Sequence, residues 1–143
     1  MSSFSGSFSG KASSQTIVYL NDVPNHELHL NEISGSQKST DDKWNNAKIT
    51  YWSTLDLVSG NGSQRGYFLN KHEDGDSDSG SFEGKVTTTA KEVILEGTWK
   101  YSGGTGKLKG LTGGGTYKGR LTSPTQVEMT WDGAYQLASK AGR

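Results

Sequence analysis

The chain has 143 residues, enough for one domain with its own core, and it carries 15 basic and 15 acidic residues. Zero net charge gives no general attraction to nucleic acid or to an anionic membrane, and the absence of cysteine excludes disulfides and thiolate metal sites. No apolar run approaches a membrane span and Met1–Gly6 has no leader pattern, so a cytoplasmic protein with no membrane or nucleic-acid partner is expected.

Residues 1–14 are rich in Ser and Gly, with Phe4 and Phe8 their only aromatics, and read as a loose arm or an edge strand. The domain proper is expected over 15–138, followed by a tail at 139–143. Gln15–Leu20 reads as the first firm strand, closed by Pro24, which lacks a ladder N–H. His26–Ile33 alternates, with Leu28 and Leu30 on the face of His26 and Glu32. Ser34–Asn46 is polar and reads as a long loop.

Lys48–Val58 is the clearest strand, with Ile49, Tyr51, Leu55 and Leu57 on one face and Trp52 and Asp56 on the other. Gly60-Asn61-Gly62 reads as a hairpin turn and Arg65–His72 as the return strand. Asp74–Gly80 reads as an acidic turn. Ser81–Thr89 pairs with Glu92–Tyr101, and Thr116–Leu121 and Gln126–Leu137 complete about eight strands. Short strands at regular spacing, with no helical period, predict an all-β barrel or sandwich.

Residues 97–119, GTWKYSGGTGKLKGLTGGGTYKG, hold nine glycines in 23 residues. A helix does not tolerate that density, since each glycine costs about 1 kcal/mol against Ala. Strands with glycines at bulges and sharp bends fit better. The run is no phosphate loop: Tyr101 and Leu108 stand where a P-loop needs Gly and Ser or Thr, and Lys109 breaks G-x-G-x-x-G. Asp74, Asp76 and Asp78 have the opening spacing of a calcium loop, but Ser79 and Lys85 replace its later Gly and Glu. His26, His29 and His72 lack zinc spacing, and no serine sits in a nucleophile elbow. No metal or cofactor is expected. The stripe Lys100, Lys107, Lys109, Lys118 and Arg120 reads as a solvated face.

The same glycine run, followed by Trp131-Asp132-Gly133-Ala134-Tyr135, resembles the C-terminal half of bacterial proteins with an allene oxide cyclase-like barrel, related to the dirigent group. The likeness covers roughly residues 63–137 and is carried by turn glycines and core aromatics. It implies a single small antiparallel β-barrel of about eight strands and self-association as a dimer or trimer, to which an outward Trp52 would contribute. It also implies a pocket for a small apolar or aromatic ligand. A cofactor-free cyclase or isomerase would act there by forcing its substrate into one conformer. A lipocalin-type carrier, or a structural module with a filled barrel, are the alternatives. Strand parity selects Glu32 and Tyr51 as the catalytic candidates. It selects His26, Asn70, His72, Trp99, Tyr101, Trp131 and Tyr135 as the ligand-binding ones.

Overall fold

The computed structural model describes residues 2–138. Eight strands, β1 (Ser2–Leu20), β2 (His26–Ser39), β3 (Lys48–Val58), β4 (Asn61–Lys71), β5 (Ser77–Thr88), β6 (Val93–Gly104), β7 (Thr112–Ser123) and β8 (Gln126–Gln136), run in chain order. Each pairs antiparallel with its sequence neighbours, and β1 pairs with β8 to close the barrel. The only helical element among the described residues is a 3₁₀ turn at Gly106–Leu108. This is the all-β barrel expected from the sequence.

The interior is set by alternation. Phe8, Tyr51, Val86, Leu95, Tyr117 and Val127 point inward and form the central core with Ile33 and Leu57. Glycines occupy many of the intervening inward positions, and aromatic rings lie across them. On β4 and β5, Gly66 is opposite Phe82 and Phe68 is opposite Gly80. A Cβ on Gly80 would stand 2.5 Å from the Phe68 ring, and one on Gly66 would stand 2.7 Å from Phe82. Gly6 faces Trp131 across β1 and β8 in the same way. The expectation that the glycines mark bulges and sharp bends holds for part of the run: Gly106 and Gly110 have positive φ, 57° and 81°, between β6 and β7, whereas Gly97, Gly115 and Gly119 lie inside those strands. The three register shifts leave Ser13, Ser102 and Thr122 as the extra residues.

Three boundaries also differ from expectation. Residues 2–14 are no arm but the first part of β1, bonded to β8 as far as Lys11. β2 continues to Ser39, which shortens the long loop to residues 40–47. The β3–β4 turn is Ser59-Gly60, and Asn61 and Gly62 of the expected Gly60-Asn61-Gly62 turn already belong to β4. Both turn residues have positive φ, 53° and 81°, as a two-residue primed turn requires.

The two barrel ends are unlike. One carries tight hairpins. The other carries the connections 40–47, 72–76 and 105–111, the first and last of them the longest in the barrel, and a second core cluster of Phe4, Trp44, Leu108, Leu111 and Tyr135 plugs it. Beyond Ser13, β1 leaves β8 and stays paired with β2 alone.

A methyl group at a ring-covered glycine has to displace the ring or the strand. We expect Gly80→Ala to lower the unfolding free energy by about 1–3 kcal/mol, and the exposed Ser63→Ala to change it little, as read from urea denaturation midpoints.

Candidate functional site in the barrel lumen

Every strand contributes to a cavity of about 100 Å³ in the middle of the barrel. Its wall is formed by Phe8, Gln37, Ile49, Tyr51, Phe68, Asn70, Phe82, Trp99, Tyr101, Tyr117, Met129 and Trp131. The rings meet edge to face, as their quadrupoles favour: Tyr51 and Phe82 at 5.5 Å and 89°, Trp99 and Trp131 at 6.0 Å and 87°, Phe68 and Tyr101 at 5.8 Å and 68°. No charged side chain lines the cavity. Its volume is below the roughly 300 Å³ of a pocket for a drug-sized ligand, and near that of a cavity that accepts one benzene-sized molecule.

Two polar atoms of wall residues have no hydrogen-bond partner among the described residues. They are the donor Nε1 of Trp131 and the acceptor Oδ1 of Asn70. The Asn70 amide is oriented by its other end, because Nδ2 donates to Asp78 Oδ1 at 2.7 Å. A carboxylate accepts and the amide nitrogen donates, so the oxygen is the atom left over. Burying such an atom without a partner costs about 1–3 kcal/mol.

Below the cavity, toward the plugged end, lies a buried polar network. Asp78 is 1 % exposed and takes three donors: Asn70, Trp44 Nε1 at 2.9 Å and His72 Nε2 at 2.6 Å. His72 Nδ1 meets the Lys43 carbonyl at 2.5 Å, and a carbonyl only accepts, so that nitrogen carries a proton. A second proton on Nε2 makes the ring cationic beside Asp78. Burial disfavours the charged ring, but the bonds to Asp78 and Lys43 outweigh it and hold His72 above its ordinary value. The network fixes the 40–47 connection in place. Gln37 Nε2 donates to the Trp44 carbonyl, and the Tyr135 hydroxyl donates to Asp41. Burial and that carboxylate push the Tyr135 hydroxyl up to about 12.

Tyr51, Asn70, Trp99, Tyr101 and Trp131 therefore share one cavity, as strand parity expects. Burial raises the Tyr51 and Tyr101 hydroxyls well above the usual tyrosine value. Both stay neutral at physiological pH and can donate a hydrogen bond but not act as a base. His72 faces inward but lies in the network, and Tyr135 belongs to the plug, packed 4.6 Å from Trp44.

The placement of Glu32 and His26 is corrected. Ile33 is buried opposite Tyr51, which puts Glu32 on the outer face opposite Trp52, with Leu28 and Leu30. There Glu32 accepts from Ser13 Oγ and Trp52 Nε1, both at 2.7 Å, and these bonds lower its pKa. His26 sits at the hairpin end between Asp22 and Asp56, at 2.7 and 2.6 Å, and both carboxylates raise its pKa. Neither residue lines the cavity.

The sequence reading missed Trp44, placed in a polar loop, and Asp78, placed in an acidic turn. It also missed Phe8, Gln37, Phe82 and Tyr117. Period-two alternation would have found Phe82 and Tyr117. Only tertiary packing finds Trp44 and Asp78.

Among known proteins, no family model matches this sequence, and no curated protein matches it. The closed eight-stranded lumen has the fold of the dirigent and allene oxide cyclase-like barrels. The structure of the pterocarpan synthase dirigent protein GePTS1 is similar over 100% of this chain and 91% of that one, with a TM-score of 0.55 and 12% identity. At that identity the likeness is one of fold. No helix among the described residues is long and apolar enough to cross a membrane.

Two outcomes follow from the plug. Trp44 is fully buried, so Trp44→Ala is expected to cost about 3–5 kcal/mol in urea unfolding. His26 and His72 both have raised pKa values. Their stabilisation is complete below the unfolded value of 6.5 and is lost as pH rises through the raised folded values. The urea midpoint is expected to fall as pH rises above about 6.5, and His72→Gln in a His26→Gln background is expected to flatten that fall.

Proposed function

We propose that this barrel holds one small aromatic or apolar molecule bearing a single polar group, and that it acts by confining and orienting that molecule. The observation that carries this reading is the apolar cavity whose wall leaves one donor, Trp131 Nε1, and one acceptor, Asn70 Oδ1, without partners. A hydroxyl on the ligand accepts from the first and donates to the second. The aromatic walls supply dispersion and edge-to-face contacts to the ring.

The chemistry available is that of position. No carboxylate, histidine or lysine lines the cavity, and its tyrosines are neutral, so a general base is missing there and the tyrosine hydroxyls can only donate. A reactive ligand held by rigid walls is restricted to few conformers, and restriction alone raises the rate of the reaction whose geometry it matches. The fold shared with a pterocarpan synthase dirigent protein supports this steering reading. A ligand larger than one ring needs the rings of the wall or the Trp44 plug to give way.

The test is a pair of titrations of the full chain, with phenol and with toluene, followed by tryptophan fluorescence and calorimetry. Phenol is expected to bind about tenfold tighter than toluene, the worth of one or two neutral hydrogen bonds. Trp131→Phe is expected to narrow that gap while leaving toluene affinity nearly unchanged. Binding of neither compound would leave the barrel a filled structural module.

A further inference from the structure

Asp78 uses its two oxygens unequally. Oδ2 takes two donors, Trp44 Nε1 at 2.9 Å and His72 Nε2 at 2.6 Å. Oδ1 takes one, Asn70 Nδ2 at 2.7 Å. Trp44 and Asp78 are both fully buried. An indole nitrogen only donates, so the position of Oδ2 has to be an oxygen. The position of Oδ1 is an acceptor as well only because the side chain is a carboxylate. An amide of the same shape would keep its oxygen under Trp44 and turn its nitrogen toward Asn70.

Asn70 passes that constraint to the lumen. Its side chain is buried in the cavity wall, and an amide carries a donor and an acceptor of nearly equal size. Asp78 Oδ1 holds the nitrogen end, and the oxygen end is left without a partner among the described residues. Turning the amide over would set oxygen against oxygen. Asp78 does not line the cavity itself. It acts from behind the wall, and it is an acceptor at both ends, which no neutral side chain of its size supplies. A buried carboxylate is costly where a well-packed neutral side chain would serve.

We propose that, in the ligand site proposed above, Asp78 is a positioning residue that sets the polarity of the lumen through Asn70, so that the site takes an aromatic ring bearing a hydroxyl or amine donor in preference to one whose polar group only accepts. A donor pairs with Asn70 Oδ1. A group that only accepts meets that oxygen lone pair to lone pair, and both lose water without gaining a bond. A site with a buried polar atom discriminates by this penalty more strongly than by volume. Trp131 Nε1, the other unpartnered atom, donates to either kind of oxygen and does not make the distinction.

The test compares phenol with pyridine N-oxide, a molecule of the same outline whose oxygen accepts and cannot donate. Toluene is the apolar reference, and binding to the full chain is followed by tryptophan fluorescence and calorimetry. The two polar probes differ in hydration, but that difference is common to every variant, so a change in their affinity ratio reports the site. In Asp78→Asn the introduced amide keeps its oxygen toward Trp44 and turns the Asn70 amide over, which presents Nδ2 to the cavity. The ratio of phenol to pyridine N-oxide affinity is expected to fall by about tenfold or more, with toluene affinity nearly unchanged. Circular dichroism and the urea midpoint report whether the variant is folded. A second readout needs no change at Asp78. The wild-type chain is expected to bind phenol about tenfold or more tighter than pyridine N-oxide, and Asn70→Leu, which removes the acceptor, is expected to narrow that gap. An unchanged ratio in folded Asp78→Asn, or an equal loss of affinity for all three probes, makes Asp78 merely structural and overturns the proposal with the ligand site intact. Wild-type binding of pyridine N-oxide as tight as that of phenol overturns it too. Wild-type binding of none of the three removes the ligand site itself, and the role of Asp78 falls with it.

Discussion

The barrel rests on aromatic rings laid across the glycines of neighbouring strands. Gly66 with Phe82, Phe68 with Gly80 and Gly6 with Trp131 are the clearest pairs. Each ring needs the volume that a side chain opposite would fill. Each glycine, a weak strand former alone, is covered by a ring that removes its backbone from water. The alternation keeps eight strands of large aromatics from overfilling a small lumen. It also leaves the residual space in the centre, where the rings meet by their edges. The cavity is a by-product of the same packing rule that closes the barrel.

The plugged end follows a different rule. Asp78 is buried in a place where an unpaired carboxylate would be costly, and three donors converge on it, Asn70 and His72 from around the end of β4 and Trp44 from the 40–47 connection. One of those donors, the Trp44 indole, lies in a connection without regular structure. The polar centre therefore turns a loop into part of the core. Asn70 joins the network to the cavity: one end of its amide is committed to Asp78 and the other faces the lumen wall. Loop, network and cavity are thus coupled through one side chain.

Much of this was legible in the sequence. All eight strands were found because period-two alternation is strong in β3, β6 and β8, and β3 was placed from end to end. Tyr51, Trp99, Tyr101 and Trp131 were brought to one face by the same parity. Where parity failed, it failed for a physical reason. Leu28 and Leu30 look like core residues but lie outside, beside an open edge, and they carried Glu32 and His26 out with them. Phe4 and Phe8 sit among serines and glycines whose small size reads as disorder but here makes room for rings. Trp44 and Asp78 carry no local signal, because what buries them is contact between connections far apart in the chain.

Closure has a consequence for the order of folding. β1 and β8 are the first and last strands of the described chain, and Ser2 pairs with Tyr135. Every other strand pair is a sequence neighbour that can form as a local hairpin, at little cost in chain entropy. The final seam joins segments separated by nearly the whole chain, so it carries the largest loop-closure entropy and forms last. During synthesis the residues of β1 leave the ribosome before those of β8 and wait for them with one side unsatisfied. The serine- and glycine-rich character of residues 2–14, with only two aromatics, keeps that waiting strand from collapsing prematurely onto other apolar segments.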